Sequence, residues 1–500
     1  MNLRDSLLSA LHDLPGTREF HIHVLVTAPA KNNSLYPYAL PRPRLYAQDI
    51  LVLLSEQANP DAPRILVTAI EAGVYHAPAT DTAIFYVSKV DSTGQGISPS
   101  PTATLVRALV RWYCDPATRP VSSRHLWVHL FARAQGQYLF PNSADHESKK
   151  PLSDVKLCAW WRRVLGTVAA DVQAGMGGGA DAGKVRMYYV LPGYNEMEAE
   201  QALRLPATPP DAAEPRWQYG HPYTQTDIPL PCPPPEGTPN LGHFIPSFDD
   251  DPKNRFMDEL ALTDSVASPR KRARTGSARE AREARESDGP VPPKEKDAPP
   301  RPKGELSKVA PDEFWERMSF RQECVAGAVT GFFTVGVSAP QAPAVRPPPL
   351  EPQAGQVPRA MNKRVLTTLL TGTEFSTAER ARQATEIIES AVRGLCEGLA
   401  VPAAKPPSSV GGSLALPRTP PRRSAALPSV DDASPNPFDE PEATLETYRA
   451  HIYGVLTVSN APLPPKVVPG GAAADGAGAG APKVNVLAVR KKKKRSEPPT

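Results

Sequence analysis

Leu3, Leu7, Leu8 and Leu11 recur at helical spacing, which predicts a short amphipathic helix over residues 3–14. The period then changes. Phe20, Ile22, Val24 and Val26 alternate with polar positions and predict a strand. A short apolar run, Ile50–Leu54, and a longer β-rich run, Arg64–Tyr75, follow. Ala83–Lys89 (AIFYVSK) predicts another strand, closed by the turn-like DSTGQG. From Thr102 to Tyr113 the helical period returns, with Leu105, Leu109 and Trp112 on one face behind Pro101, a helix-start signal. Leu126–Ala132 reads as strand. Ser153 then caps a helix carrying Cys158, Trp161, Leu165 and Val168 on one face, and Met187–Leu191 is a further apolar strand. Strands and helices mix without regular βαβ alternation. The fold class expected is α/β, a central mixed β-sheet with helices packed around it.

The second half is patterned differently. Residues 205–247 are proline-rich yet keep Trp217, Tyr219, Tyr223 and Phe244, so an irregular segment packed on the core is expected, because pure linkers rarely carry aromatics. Residues 249–262 (DDDPKNRFMDELAL) predict a helix with Asp251 as N-cap and Pro252 at its first position. Residues 265–308 are charged, proline-rich and almost without large apolar side chains, which predicts a disordered insert. Helical signal returns over 311–334, anchored by Phe314, Trp315, Met318 and Phe332. Residues 340–358 read as a proline-rich linker, 374–398 as a helix and 440–458 as a second helix; the remainder of 399–439 and 461–500 is low complexity.

Composition narrows this picture. The 500 residues include 60 prolines, more than twice the usual share of about 5%. One large domain with long inserts is therefore expected in place of the two or three domains that length alone allows. The formal net charge is +4, too small for a strong global pull on nucleic acid, so any nucleic-acid contact would be weak and confined to short basic runs. Five cysteines with no CxxC pair argue against a disulfide framework and a structural zinc site, and suit a reducing compartment. No stretch approaches the roughly 20 apolar residues of a membrane span, and the N-terminus does not read as a leader, so no membrane is expected as partner.

Several motifs suggest chemistry. Gly175–Gly183 followed by Lys184 invites a phosphate-loop reading, but Val185 and a strand follow where Ser or Thr and a helix are needed, so a surface loop is expected. His21 and His23 share a strand face without a third ligand nearby and read as strand-surface histidines. No GxSxG elbow or HExxH helix appears. Asp249–Asp251 beside Lys253 and Arg255 could form a buried ionic cluster of the kind that shifts pKa values. Of the adjacent Trp160 and Trp161, one packs in the core, and the other must point at least 90° away, into a second interface or a pocket.

YVSKVDSTG at 86–94, QYLFPNS at 137–143, AWW at 159–161 and DDPKNRF at 250–256 together resemble the fungal acetyltransferases that modify a lysine in the globular core of histone H3, the regulator-of-Ty-transposition type. FWERMSFRQE at 314–323 and the basic RKKKKR at 490–495 fit in the same order. The resemblance spans roughly residues 1–335, with a patchy return at 372–392. It implies a CBP-like histone acetyltransferase fold and acetyl-CoA as cofactor. Val90, Asp91 and Ser92 match a loop that contacts acetyl-CoA. Pro99, Ser100, Pro101, Thr102 and Ala103 match the segment that cradles the pyrophosphate at a helix N-terminus, where free N–H groups favour anions. Phe131, Gln135, Lys150, Pro151 and Leu152 match further cofactor positions, Lys150 as a partner for a CoA phosphate. Trp160 matches the cofactor-stacking tryptophan, and Trp161 and Tyr138 the lining of a lysine tunnel. Asp250 and Asp251 match an acidic pair with Asp251 the proton acceptor. As an N-cap, Asp251 would have a lowered pKa and be a weaker base, so two roles stand open for it: proton acceptor, or a group that orients substrate or anchors the loop. Lys253, buried beside Asp250, matches a lysine the family acetylates on itself.

The domain organisation implied is an acetyltransferase core over 1–262 and 310–395, a disordered basic and proline-rich insert over 263–309, and a mostly disordered tail over 396–500. No metal is implied. The function implied is direct acetyl transfer, without a covalent enzyme intermediate, to histone H3. Histone H3–H4 and histone chaperones of the NAP and anti-silencing classes are the implied partners. The setting is replication-coupled nucleosome assembly and genome stability in the nucleus. Pro269–Arg274 and Arg490–Arg495 read as nuclear import signals, or as solvated charge runs. A catalytically inactive chromatin scaffold that binds chaperones is the alternative. A small-amine acyltransferase would turn over without histones.

Overall fold

A computed structural model of the chain describes residues 2–177, 183–203, 215–235, 240–263, 304–321, 328–340, 353–397 and 441–462. Among the described residues, eleven strands form one mixed sheet. In spatial order β10 (Gln356–Val357), β1 (Gly16–Thr27), β3 (Leu45–Gln57), β4 (Ile65–Ala77), β5 (Thr82–Ser92), β6 (His125–Ala132), β9 (Gly331–Ser338), β7 (Lys184–Val190) and β8 (Trp217–Tyr219) lie side by side. β2 (Ala30–Asn32) pairs with β3, and β11 (Tyr453–Asn460) pairs antiparallel with residues 16–23 of β1. β5 and β6 are parallel, and helix α2 (Thr102–Cys114) makes the crossover between them.

Both faces of the sheet are covered, which explains why β3 and β4 read as nearly continuous apolar runs. Ile50, Val52 and Leu54 point to one face, where α1 (Leu3–Leu11), α2 and α3 (Asp154–Gly175) pack. Leu51 and Leu53 point to the other, against α7 (Arg359–Thr371) and α8 (Ala378–Cys396). α4 (Glu196–Ala202) opens with a capping box between Asn195 and Glu198. α5 (Pro252–Leu262) starts as its sequence predicts, with Asp251 as N-cap and Pro252 behind it. It packs with α6 (Pro311–Met318) around Phe256, Phe314 and Phe332.

Several expectations change. The run over 311–334 is helical only to Met318; Phe332 and Phe333 belong to β9, inserted between β6 and β7. The described end of the 263–309 insert is packed, with Leu306 and Val309 buried beside α5. The 340–358 linker ends in β10, and α7, which periodicity did not predict, follows it. Residues 440–458 are not one helix. A short helical segment (Leu445–Thr447, then a π-turn over Tyr448–Ile452) leads into β11. His21 and His23 are not surface histidines. β11 and the π-turn cover them, and they bond the hydroxyls of Tyr453 (2.8 Å) and Tyr448 (3.2 Å). The two basic runs, Cys324 and the low-complexity stretches lie outside the described residues. Among the described residues, no helix is long and apolar enough to cross a membrane.

Residues 441–460 are thus an integral part of the core. Ile452 is fully buried under α8 and β1, so Ile452→Ala should lower the unfolding free energy by about 3 kcal/mol, read by chemical denaturation, while Val455→Ala on the exposed side changes little. Equal, small effects of both would mean that this segment does not dock.

Burial also sets a pH dependence. His23, His76 and His129 are enclosed, and desolvation pushes each imidazole down to about 3. Between an unfolded value near 6.5 and that depressed value, the unfolded chain binds protons that the folded chain refuses. Stability therefore falls as pH drops through this window. His76→Gln should flatten the wild-type slope between pH 6 and pH 4 by up to about 1.4 kcal/mol per pH unit. Parallel profiles for the two proteins would refute a neutral buried His76.

Candidate functional site

The carboxyl ends of β5 and β6 and the start of α2 meet at one side of the sheet, the position where open sheets with parallel strands commonly hold ligands. A cavity of about 370 Å³ opens there, within the size range of ligand sites. β5 supplies Val90, Asp91 and Ser92, the end of β6 supplies Phe131 and Ala132, and α3 supplies Leu157, Trp160 and Trp161. Phe131 is held by a stacked contact with Phe332, 4.9 Å between ring centroids.

Asp91 organises one wall. It is 5% exposed, and both of its oxygens are occupied. One accepts from the backbone N–H groups of Tyr138 (2.7 Å), Leu139 (2.9 Å) and Phe140 (3.1 Å). The other accepts from Ser92 N–H (2.9 Å) and from Lys149 Nζ (2.8 Å), which also donates to Ser143 Oγ (2.7 Å). Asp91 therefore lines the cavity while its charge is directed at the chain itself. It fixes the loop that carries Tyr138, Lys150, Pro151 and Leu152, all of which face the cavity. Sequence reasoning missed Lys149. No motif marks it, because its partner is 58 positions away in the chain. Burial pushes the Tyr138 phenol up to about 12, so it stays protonated and serves as a wall and hydrogen-bond donor.

At the opposite end, Ser100, Thr102 and Ala103 line the cavity, whereas Pro99 and Pro101 are not among the lining residues. Thr102 Oγ1 is tied to Thr68 Oγ1 (2.7 Å) and Ser100 Oγ (2.9 Å), and α2 has no side-chain N-cap from Pro101. Gln135 and Lys150 also reach the cavity. Both tryptophans line it, Trp161 while also belonging to the core cluster. They make an edge-to-face pair, 4.6 Å between centroids, with Trp161 buried at 4% exposure and Trp160 partly open.

The acidic pair separates. Asp250 lines the cavity, and its two oxygens accept from Tyr86 Oη (2.7 Å) and Ser88 Oγ (2.8 Å). Burial and the neighbouring carboxylates push the Tyr86 phenol far above its ordinary range. Asp251 is 3% exposed and is not among the lining residues. It accepts from Lys253 N–H (2.9 Å) and forms an ion pair with Lys253 Nζ. The capping role alone would lower its pKa. Burial outweighs this and raises it, with Lys253 opposing. Lys253 therefore lies beside Asp251, not Asp250, and its Nζ sits 4.5 Å from the centroid of the Phe332 ring and 6.0 Å from that of Trp315. Among the described residues no group of His, Cys, Asp and Glu is placed to hold a metal ion.

Comparison with known proteins gives a consistent result. The family described as the histone acetyltransferase KAT11-type domain matches residues 116–391. The chain is 31% identical over 298 residues to the histone acetyltransferase rtt109 of Aspergillus flavus, covering 56% of this chain and 46% of that protein. It is 25% identical over 258 residues to the protein of the same name from Schizosaccharomyces pombe, covering 50% of this chain and 52% of that one. The chain thus spans about half the length of the curated relatives it matches. The crystal structure of Rtt109 from Aspergillus fumigatus superposes with a TM-score of 0.59 at 24% identity, covering 79% of this chain and 96% of that one, a likeness of fold.

The anchoring role of Asp91 has a direct readout. Asp91→Ala should cost about 3 kcal/mol of stability, because it strips a buried, charge-assisted network and leaves Lys149 without its partner. Amide exchange at Tyr138, Leu139 and Phe140 should accelerate selectively in hydrogen-exchange mass spectrometry. Unchanged protection there would rule the anchor out.

Proposed function

Because the chain belongs to the KAT11-type histone acetyltransferase family, we propose that it transfers an acetyl group from acetyl-CoA to lysine side chains of histone H3, including a lysine of the globular core. The observation that carries this reading is one cavity with a helix start at one end and an aromatic wall beside an accessible carboxylate at the other.

The residues fit the donor. The start of α2, with Ser100, Thr102 and Ala103, suits a diphosphate through its free N–H groups and dipole. Lys150 would meet a phosphate, Trp160 would stack on the donor, and Val90, Phe131, Gln135, Pro151 and Leu152 would line its path. Bound there, acetyl-CoA supplies an acetyl group activated as a thioester.

A lysine arriving at this site is charged, with an ordinary pKa of about 10.4, and must lose a proton before it can attack. Trp161 and Tyr138 exclude water and so weaken its hold on that proton. Of the two carboxylates that line the cavity, Asp91 is spent on the chain itself, and we assign Asp250 the task of orienting the ammonium and accepting the proton. Tyr86 and Ser88 hold Asp250 in place. Asp251, enclosed with Lys253, anchors the start of α5. No residue here needs to form a covalent intermediate. Lys253 is the self-acetylated residue in this reading. Acetylation would replace its ion pair with Asp251 by a neutral amide in the same aromatic surroundings.

Histone H3–H4, presented by chaperones of the NAP and anti-silencing classes, are the proposed partners. The proposed setting is replication-coupled nucleosome assembly in the nucleus. The test is transfer from labelled acetyl-CoA to H3–H4, with and without chaperones, read by mass spectrometry. Wild type should modify H3. Asp250→Asn should reduce kcat/KM by about a hundredfold, and Asp251→Asn should act chiefly through stability. If no transfer occurs and acetyl-CoA does not bind, the enzyme reading fails and the chromatin scaffold remains.

A further inference from the structure

The loop that delivers the chain to the start of α2 is held by a charged pair that the site itself does not contain. Arg18 on β1 is 1% exposed and Glu56 on β3 is 4% exposed, and their side chains meet at 3.0 Å. Arg18 donates to the carbonyls of Ile97 (3.0 Å) and Pro99 (3.2 Å), and also to that of Pro15 (2.7 Å). Glu56 accepts from Ile97 N–H (3.2 Å) through its second oxygen. Ile97 is therefore gripped at both its N–H and its carbonyl, three residues before the first cavity-lining position of this segment, Ser100.

The grip is close. A Cβ on Gly96 would stand 2.7 Å from Glu56 Oε2 and 3.1 Å from Val67 Cγ1. The two ends of the loop are fixed separately: Thr93 Oγ1 donates to the Leu66 carbonyl (2.9 Å), and Thr102 bonds Thr68. The stretch between has no ladder of its own. A buried ion pair is a poor way to gain stability, since apolar residues of similar volume often do as well. What a guanidinium offers is a rigid fork of donors that can hold several carbonyls in a fixed relation.

We propose that Arg18 and Glu56 are positioning residues for the donor-binding segment 95–103, setting the backbone that faces the diphosphate of the acyl donor and so governing donor capture, not the transfer step. The proposal rests on the acetyl-CoA reading given above. It separates affinity by ligand part. CoA carries the diphosphate; pantetheine, the thiol-bearing arm of the same molecule, does not.

The experiment uses the full chain, with calorimetric titration of CoA and of pantetheine into wild type, Glu56→Gln and Gly96→Ala. Glu56→Gln keeps the shape but sets an amide donor against either Arg18 or Ile97 N–H. Gly96→Ala leaves both charges intact and instead crowds the grip, its added Cβ standing 2.7 Å from Glu56 Oε2, so it tests the idea should Glu56→Gln fail to fold. CoA affinity should fall about tenfold in each folded variant, the worth of one charge-assisted hydrogen bond, with pantetheine affinity unchanged. In acetyl transfer, KM for acetyl-CoA should rise equally while kcat at saturation and KM for histone hold. Equal weakening of pantetheine, or a fall in kcat with KM unchanged, would overturn the proposal and leave the pair a general support. Wild-type affinity in both variants would overturn it as well. A wild-type chain that binds no CoA would remove the acetyl-CoA reading itself, and the proposal with it.

Discussion

Residues 133–153 run from the end of β6 to α3 with only one short turn of helix, over Ser143–Asp145. A loop of this length inside a compact domain needs something to define it, and loops of this length are usually functional. Here one carboxylate defines it. Asp91 gathers three consecutive backbone N–H groups, a fourth from Ser92 and the Lys149 ammonium, joining the end of β5 to both halves of the loop. Such bonds are strong because the acceptor is charged and the surroundings are dry. The wall that faces Trp160 and Trp161 is therefore as rigid as the strand that carries Asp91. Removing that one side chain would leave the cavity's residues present but unplaced.

The same logic of environment divides the two adjacent aspartates. Asp250 and Asp251 are neighbours in sequence, yet the helix start turns one outward and one inward. Asp251 must point at the first turn of α5 to cap it, which buries it against Lys253, whose ammonium lies over the Phe332 and Trp315 rings. Asp250 is left at the cavity, steadied by two hydroxyls. Two identical groups thus acquire separate tasks because desolvation and partners differ, a pattern familiar from acid–base pairs in enzymes. Burial raises the pKa of the inward aspartate, but perturbation without access gives it nothing to act on.

Much of this was legible in the chain, and the failures are physical. The first five long strands, α2 and α3 were readable because each carries either a clean period or a sustained apolar, β-rich run. The cavity residues were readable only through resemblance, since Asp91, Trp160 and Asp250 are far apart in sequence and nothing in spacing alone unites them. From the sequence β9 reads as the continuation of a helix, because a short apolar run such as Gly-Phe-Phe-Thr-Val has no period that separates a buried strand from a helix. β11 was missed for a related reason: Tyr453–Asn460 becomes a strand by pairing with β1, a tertiary effect that overrides local preference. The same pairing buried His21 and His23, which an isolated strand would have left at the surface.

The location of the site follows from topology more than from any one residue. β5 and β6 are parallel and adjacent, so the chain must leave the end of β5, cross over and return to the start of β6. A helix makes that crossing, so the start of α2 necessarily falls near the end of β5. An anion-attracting helix start is then set beside a strand end without any dedicated side chain. What the sequence adds is what topology cannot supply: an aromatic pair on α3 for the floor, an aspartate on β5 to hold the far wall, and the Arg18–Glu56 pair under the loop that leads into α2. Each of these lies on a regular element or is tied to one. That is why a cavity lined in part by loops can keep a fixed shape.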